Sequence, residues 1–477
     1  MQPLDKMIER MKKPQAENGF CLAPGVTIML ITKDKSFYKT FLPLMAMLIL
    51  QNLISYSVNL ADNVMLGSYS QTALSGAAAV NQIQFVLQQL TTGVGEGLVV
   101  LATQYWGKKE TAPISRLLGI ALCTGVFFGV LLTLAVSFFP LQVMYIFTDD
   151  AAICAEGMKY LSIMRFTYLV FIITNILVAA LRSVETVKIA FAISISTFFL
   201  NIGINYTLIF GNFGAPEMGI VGAAIGTLVA RCVELLIVVL YVIFGDKKLN
   251  LRIREMFRWN KDMVVDYFKI SFPVLITQTL FGVSVSMQTA VLGHLTADAI
   301  AANSAATTFY QFLKIVVVGE ASATSVVIGK TIGQGKVEKV REYAKTLQVF
   351  YIITGVLVAG ILFACKDFLL SFYVLNDEAM KLARQIMLLL CVVYMGMSYQ
   401  MPTATGIIRG GGDTKFVLWN DLICIWGIMY PLVFLAAFYW KLPVIAVVAF
   451  LNSDQVFKCI PVAIKVNRYR WMKKLTK

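Results

Sequence analysis

Long apolar stretches recur along almost the whole chain, separated by glycine, proline and short clusters of charged residues. Most are about 20 residues or longer, which is the length that a helix needs to cross the hydrocarbon core of a bilayer. The pattern therefore predicts twelve membrane-spanning helices. They lie near residues 40–66, 74–104, 115–139, 158–181, 188–211, 217–244, 266–293, 298–329, 343–365, 381–408, 416–438 and 443–466.

The composition leads to the same fold class. Of the 477 residues, 58% are hydrophobic and 14% are charged, and the mean hydropathy is +0.74. Soluble domains carry about 25% charged residues, so this chain cannot cover itself with a water-facing surface. The net charge of +14 is spread over short clusters between apolar stretches, which does not indicate a nucleic-acid partner. The sequence predicts an all-α polytopic membrane protein whose partner is the lipid bilayer.

The basic residues predict the orientation of the spans. Most of the 41 Lys and Arg residues fall in every second loop and in the two tails, and loops rich in Lys and Arg are retained in the cytoplasm. Residues 1–35 are polar and lack the short apolar core of a signal peptide. We therefore expect a multi-pass protein of the plasma membrane with both termini cytoplasmic, including a basic tail at 469–477.

The sequence also contains an internal repeat. Residues 181–190 (LRSVETVKIA) and 408–417 (IRGGGDTKFV) each carry an Arg and a Lys six positions apart. Residues 62–67 (DNVMLG) align with 288–293 (QTAVLG) at almost the same offset. Because each copy holds six spans, an even number, both copies enter the membrane from the same side, and the repeat is parallel.

The repeat predicts the domain organisation. One lobe comprises residues 36–244 and the second lobe residues 266–468, joined by a basic cytoplasmic connection at 245–265. Repeats of this kind place the substrate site at the interface between the two copies.

One acidic residue stands at the end of the first apolar stretch. Asn52, Ser55, Asn59 and Asp62 share one helix face, because steps of three and four residues return to the same side. A carboxylate at the bilayer centre costs about 2.5–3.5 kcal/mol, so such a stripe should face a wet cavity. Asp62 is predicted to alternate between a charged form and one neutralised by H⁺ or Na⁺. The alternative is that the helix ends near residue 60 and Asp62 lies among the outer headgroups.

At several motifs the chain resembles the multidrug and toxic compound extrusion (MATE) family of transporters. The motifs are ADNVMLG at 61–67, LVVLATQYWGKKE at 98–110, GAAIGTLVARCVE at 222–234 and IIRGGGDTKF at 407–416. The resemblance implies two six-helix lobes that form a V around a central cavity. It also implies secondary active efflux, in which H⁺ or Na⁺ is exchanged for organic, often cationic, compounds by alternating access. A monomer without a cofactor is expected.

The resemblance also implies an ion-coupling set in the first lobe. Asp62 matches the aspartate of the family's first helix, and Asn201 and Asn205 match a polar pair on the fifth. Asn175 and Thr227 match further polar positions of the same cluster. Any metal ion is expected to be a Na⁺ bound at Asp62.

The second lobe departs from one branch of the family. That branch has acids in the seventh and tenth helices, where this chain has Phe281 and Ser398, although Tyr394 is retained. The sequence is more similar to the DinF-like branch, with ion coupling in the first lobe.

The predicted substrate cavity draws on polar residues of both lobes. Gln82, Gln89 and Glu96 repeat every seven residues and share a face of the second helix. Tyrosine rings suit organic cations through cation–π contacts. The predicted lining residues are Asn52, Ser55, Asn59, Gln82, Gln89, Glu96, Gln278, Gln288, Tyr394 and Tyr399.

The remaining charged residues have structural interpretations, and two of them, Glu96 and Glu320, also have a functional one. Glu96 could belong to a proton path or form a buried ion pair with Arg165 or Lys314, and Glu320, its approximate counterpart in the repeat, has the same two interpretations. Two pairs at helical spacing are expected to neutralise each other, Arg231 with Glu234 and Asp454 with Lys458. A group in the basic loops is expected to cap helices and contact lipid phosphates: Arg182, Lys188, Arg409, Asp413 and Lys415.

Other function classes fit less well. There is no GxxxxGK[ST] phosphate loop, which disfavours an ATP-driven pump. The sole histidine, His294, has no companion ligand or base, which disfavours an enzyme. A flippase for lipid-linked oligosaccharides is the alternative, but it should line its cavity with several arginines, and few cations lie within the spans. A channel or sensor would not need matching lobes.

Overall fold

The computed structural model describes residues 31–249, 251, 253–293, 297–373 and 375–476. His294 and most of the predicted N-terminal tail lie outside the described residues. Helix makes up 85% of the structure, and the described part of the chain contains no strand. Eleven of its helices are long and apolar enough to cross a membrane, and a bent pair completes twelve if it counts as one span.

The spans, numbered α1 to α12, follow the predicted order. Polar side chains start several of them: Ser70 caps α2 by accepting a hydrogen bond from the backbone N–H of Ala73. The spans are Lys35–Tyr69 (α1), Gln71–Gly107 (α2), Thr111–Phe138 (α3), the pair Ala151–Met164 and Thr167–Ser183 (α4), Lys188–Phe210 (α5), Ile220–Gly245 (α6), Lys261–Gly293 (α7), Ala297–Gly333 (α8), Val337–Leu370 (α9), Asp377–Ile408 (α10), Thr414–Tyr439 (α11) and Val444–Asn467 (α12). Short helices at Pro140–Tyr145 and Ile253–Met256 lie between spans.

The fourth span differs from the prediction of one continuous helix at 158–181. It starts earlier and bends by 53° between Met164 and Thr167. At the bend, the Thr167 hydroxyl donates a hydrogen bond to the Met164 carbonyl at 2.6 Å. Hydroxyls that bond to a carbonyl of the same helix often accompany bends. The prediction of continuity was therefore wrong.

The helices of each half of the chain pack mainly on one another. In the first half, α1 packs on α5, α5 on α6, and α2 on α3 and α4; in the second, α10 packs on α8 and α9. The two halves meet through α2 against α7 and α8, and through α1 against α8. The α2–α7 and α1–α8 contacts are equivalent under the predicted repeat, so the interface between the halves has the same pseudo-symmetry as the sequence.

The backbones of the two halves come into direct contact where α2 and α8 end, next to the Lys- and Arg-rich loops. We call this side of the bundle the basic end. A Cβ added to Gly107 would lie 2.2 Å from the carbonyl oxygen of Lys330, and one added to Gly333 would lie 2.0 Å from that of Gln104. These distances leave no room for a side chain. Glycine at both positions therefore lets the two backbones touch.

We expect Gly333→Ala to separate α2 from α8 at the basic end. The added methyl group would overlap the Gln104 carbonyl, and overpacking of this kind costs about 1–3 kcal/mol. Gly360→Ala is the matched control, because no atom lies within 4 Å of a Cβ added there. Thermal unfolding in one detergent measures both. Equal unfolding temperatures for the two variants would contradict the close contact.

Candidate functional site

Asp62 lies within α1, because the helix continues for two further turns to Tyr69. The alternative that the helix ends near residue 60 is therefore wrong. Asp62 is half-buried and borders a small cavity of about 70 Å³ inside the first half. The cavity lies between α1, α5 and α6, and its lining is Ile54, Ser55, Val58, Asn59, Asp62, Ser194, Thr197, Asn201, Thr227, Ala230, Arg231 and Glu234.

A hydrogen-bond network joins Asp62 to α5. The Asn205 amide nitrogen donates to the Asp62 carboxylate at 2.6 Å and, more weakly, to the Asn201 side-chain oxygen at 3.4 Å. Asn201 and Asn205 are 1% and 0% exposed. They stand four residues apart, so both point to the same side of α5.

Several buried polar atoms around Asp62 lack a protein partner. Among the described residues, Asn201 Nδ2, Asn205 Oδ1 and Thr227 Oγ1 make no hydrogen bond, although the Tyr160 phenol lies beside Thr227. Buried polar groups normally find partners, and those that do not mark a place for a water molecule or an ion. The Asp62 carboxylate and the two neutral oxygens, Asn205 Oδ1 and Thr227 Oγ1, suit a small hard cation or a water molecule.

The cavity also holds the charged pair Arg231 and Glu234, which the sequence predicts to neutralise each other. The guanidinium of Arg231 contacts the Glu234 carboxylate at 2.8 Å, which confirms the predicted pair. Both residues line the cavity, and Arg231 interacts electrostatically with Asp62. Arg231 also lies over the Phe171 ring at 4.9 Å. The sequence signal was the presence of two opposite charges within an apolar span.

Two residues predicted for the functional sites lie apart from the Asp62 cavity: Asn175 of the ion-coupling set and Asn52 of the substrate-cavity lining. Asn175 donates to the backbone oxygen of Phe171 in its own helix and does not line this cavity. Asn52 is half-buried on α1, more than two turns from Asp62, and does not line it either.

A second cavity, of about 140 Å³, lies between the two halves. Gln82 and Gln89 of the predicted stripe line it, so the structure brings them together as expected. They lie toward the end of α2 opposite the basic end. The lining is Gln82, Phe85, Val86, Gln89, Leu90, Phe147, Thr279, Gly282, Val283 and Ser286. We refer to this cavity as the cleft.

The four residues of the second half that were predicted to line the substrate cavity line neither the cleft nor the Asp62 cavity. The Tyr394 hydroxyl donates to the Leu313 carbonyl, and the Tyr399 hydroxyl donates to the Gln348 side chain. Gln278 and Gln288 are half-buried on α7 and line neither cavity.

At the position where one branch of the MATE family carries an acid, the Lys314 ammonium lies 4.8 Å from the centre of the Phe281 ring. A lysine in cation–π contact with Phe281 therefore lies at this position, where that branch has an acid. The other acid position, Ser398, donates a hydrogen bond to the Met395 carbonyl within its own helix.

Glu96 joins the two halves of the chain. One carboxylate oxygen contacts Arg182 of α4 at 2.6 Å, and the other contacts Arg409, which follows α10, at 3.0 Å. The predicted pairing with Arg165 or Lys314 was therefore wrong. The prediction that Arg182 and Arg409 contact lipid phosphates was also wrong, since their side chains are only 17% and 11% exposed. We call these three residues the Glu96 cluster.

Further contacts tie the halves together at the basic end. Lys330 of α8 contacts Glu185 at 2.7 Å, and Gln104 of α2 bonds to the backbone of the C-terminal segment. Asp34, which caps α1 outside the spans, contacts Lys339 at 2.6 Å. Hydrogen bonds from Lys339 and Tyr343 lower the pKa of Asp34 to about 2. The structure is therefore closed at the basic end.

Comparison with known proteins places this architecture in one family. The family model MatE matches residues 48–207 and, again, residues 273–435, once in each half of the chain. The chain is 24% identical over 425 residues to the probable multidrug resistance protein NorM of Thermotoga maritima, covering 89% of this chain and 90% of that protein. It is 23% identical over 433 residues to the probable multidrug resistance protein YoeA of Bacillus subtilis, covering 88% and 91%.

The fold is also that of solved transporters. A crystal structure of a mutant of the Vibrio cholerae MATE transporter VcmN matches with a TM-score of 0.83 at 16% sequence identity, covering 92% of this chain and 98% of that one. The two family matches together span more than half of the sequence. The chain therefore belongs to the MatE family of multidrug and toxic compound extrusion transporters.

Proposed function

We propose that this transporter exports small organic, often cationic, compounds in exchange for H⁺ or Na⁺, as a monomer with both termini in the cytoplasm. The observation that carries the proposal is the polar cavity at Asp62. Asp62 lies beside two neutral buried oxygens without hydrogen-bond partners, Asn205 Oδ1 and Thr227 Oγ1. The Arg231–Glu234 pair lines the same cavity.

Neutralisation of Asp62 provides the coupling step. The ionised carboxylate accepts the Asn205 hydrogen bond and attracts Arg231, which also pairs with Glu234. When Asp62 binds a proton or Na⁺, that attraction is lost and Arg231 is left to Glu234 alone. The helices α1, α5 and α6 then have a different preferred packing in each state. An ion can shift the conformation only through such a difference between states.

Alternating access follows from where the halves are joined. They are tied at the basic end, while the cleft lies toward the opposite end. With the basic end in the cytoplasm, the closed side of this arrangement faces the cytoplasm and the cleft lies toward the outside. Access from the cytoplasm requires Arg409 to leave the Glu96 cluster and the α2–α8 contact to part.

The cleft suits an organic substrate with aromatic character. It combines apolar side chains and the Phe85 ring with the two amides Gln82 and Gln89. Ligand cavities are commonly apolar with a few polar groups that orient the ligand. An organic cation can contact the ring face.

The flippase alternative finds little support in the charges. A pyrophosphate would need unpaired arginines along the cleft, whereas Arg231 pairs with Glu234, and Arg182 and Arg409 both pair with Glu96. Drug export with ion exchange therefore accounts better for the described residues.

Ethidium efflux from reconstituted vesicles tests the proposed function. An inward gradient of the coupling ion should accelerate efflux, so a pH gradient and a Na⁺ gradient are imposed separately. Acceleration by one of them identifies the ion. Efflux that responds to neither gradient would contradict ion-coupled export.

A further inference from the structure

A second acid lies buried in the other half of the molecule, away from the Asp62 cavity. Glu320, in the middle of α8, is 1% exposed. Both of its carboxylate oxygens are sealed from solvent and make no hydrogen bond within ordinary distance and angle limits. No Lys or Arg nitrogen of the described residues lies within salt-bridge distance of it, in contrast to Glu96.

The polar groups around Glu320 are one hydroxyl and two phenols, and none of them carries a positive charge. The Thr354 hydroxyl lies beside it but donates its hydrogen to the Phe350 or Tyr351 carbonyl of α9. The Tyr351 hydroxyl is bonded to Thr324, and the Tyr394 hydroxyl of α10 donates to the Leu313 carbonyl.

The charged groups that approach α8 close to Glu320 along the helix lie on a different face of that helix. Arg182 and the Glu96 cluster approach α8 at Ser322, which is rotated by about 200° from Glu320 around the helix axis. On the α1 side, the neighbour is the apolar Ile49, beside Gly319. The titratable groups that face Glu320 are therefore the two phenols of Tyr351 and Tyr394.

An ionised carboxylate in such a place is costly, because burial of a charge without a partner is unfavourable by several kcal/mol. A bound proton removes this cost and turns the group into a donor. Thr354 Oγ1, whose own hydrogen is committed to a carbonyl, can then accept it. Na⁺ would need a shell of oxygen ligands, and no water-sized space adjoins either carboxylate oxygen.

We propose that Glu320 is a second proton-binding site, located in the second half of the transporter, that holds a proton in this conformation and exchanges it when the halves rearrange. The proposal deepens the proposed function and rests on it for the link to transport. It adds one proton to the ions that move in each cycle, independently of whether Asp62 carries H⁺ or Na⁺.

Infrared spectroscopy of the purified protein at neutral pH tests the protonation directly. A protonated carboxylic acid has a carbonyl stretch that an ionised carboxylate lacks. We expect wild type to show such a band and Glu320→Gln to lose the part of its intensity that comes from Glu320, since a protonated Asp62 absorbs in the same region. Glu338→Gln is the matched control, because the Glu338 side chain is 87% exposed, and it should leave the band unchanged. A Glu320→Gln spectrum identical to that of wild type would overturn the proposal.

Two further measurements keep the test decisive. If Glu320→Gln does not fold, wild type labelled with ¹³C in the glutamate side chains replaces it. A carboxylic acid band that shifts with the label supports the proposal, and the absence of a shifted band overturns it. In vesicles, Glu320→Gln should move one proton fewer per ethidium than wild type, and an unchanged ratio overturns the link to transport. Failure of wild type to move ethidium contradicts the proposed function but leaves the spectroscopic result standing.

Discussion

Cells that produce the Asp62→Asn variant are expected to lose drug resistance while the amount of protein in the membrane stays the same. Asparagine keeps the shape of the side chain and can still bond to Asn205, but it cannot change charge. The preferred packing of α1, α5 and α6 would therefore no longer depend on the ion. Efflux of ethidium should fall to the rate of cells without the transporter.

Asp149→Asn is the control for this loss, because Asp149 is an exposed acid in the segment between α3 and α4. It should export ethidium as wild type does. Resistance that survives the Asp62 change, at equal protein levels, would count against ion coupling at this cavity.

Glu96→Gln is expected to cause the largest loss of stability. The glutamine would leave the buried guanidinium groups of Arg182 and Arg409 without the carboxylate that contacts both of them. Removal of one partner from a buried ion pair costs about 3–5 kcal/mol. The variant should unfold at a lower temperature than wild type in the same detergent. The contact between the halves should also weaken, since Arg409 is held to the first half through Glu96.

Glu156→Gln provides the comparison on the surface. Glu156 contacts Lys159 at 2.6 Å, but the lysine side chain is 58% exposed. Exposed pairs contribute at most about 1 kcal/mol. If Glu96→Gln unfolds at the same temperature as Glu156→Gln, the Glu96 cluster does not stabilise the closed basic end.

The sequence predicted those features of the fold that depend on local pattern. The number and order of the spans follow from apolar length, and the stripe of Ser55, Asn59 and Asp62 follows from helical periodicity. All three residues line the cavity in the first half. The bend in α4 was missed because no glycine or proline lies between Met164 and Thr167 to mark it.

The partners of Glu96 could not be predicted for a different reason. Arg182 lies 86 residues away in the sequence and Arg409 lies 313 away, so only the packing of complete halves brings them together. Their place in basic loops suggested a lipid-facing role. Arginines that close a cluster between two lobes have the same local sequence pattern as arginines that contact phosphates.

The division of the chain into two lobes at 36–244 and 266–468 stays a prediction, as do the coupling ion and the roles of the residues around Asp62. The two matches of the MatE model, one in each half, support the repeat on which that division rests. Arg231 and Glu234 should be included with Asp62, Asn201, Asn205 and Thr227 in any mutational study, because they line the same cavity.

The most direct test of coupling at Asp62 is the number of ions released when ethidium binds to the purified transporter. H⁺ and Na⁺ release are measured in weakly buffered solution for wild type and for Asp62→Asn. We expect wild type to release an ion on binding and the asparagine variant to release fewer ions per ethidium bound. Equal release from the two proteins would show that Asp62 does not carry the coupling ion.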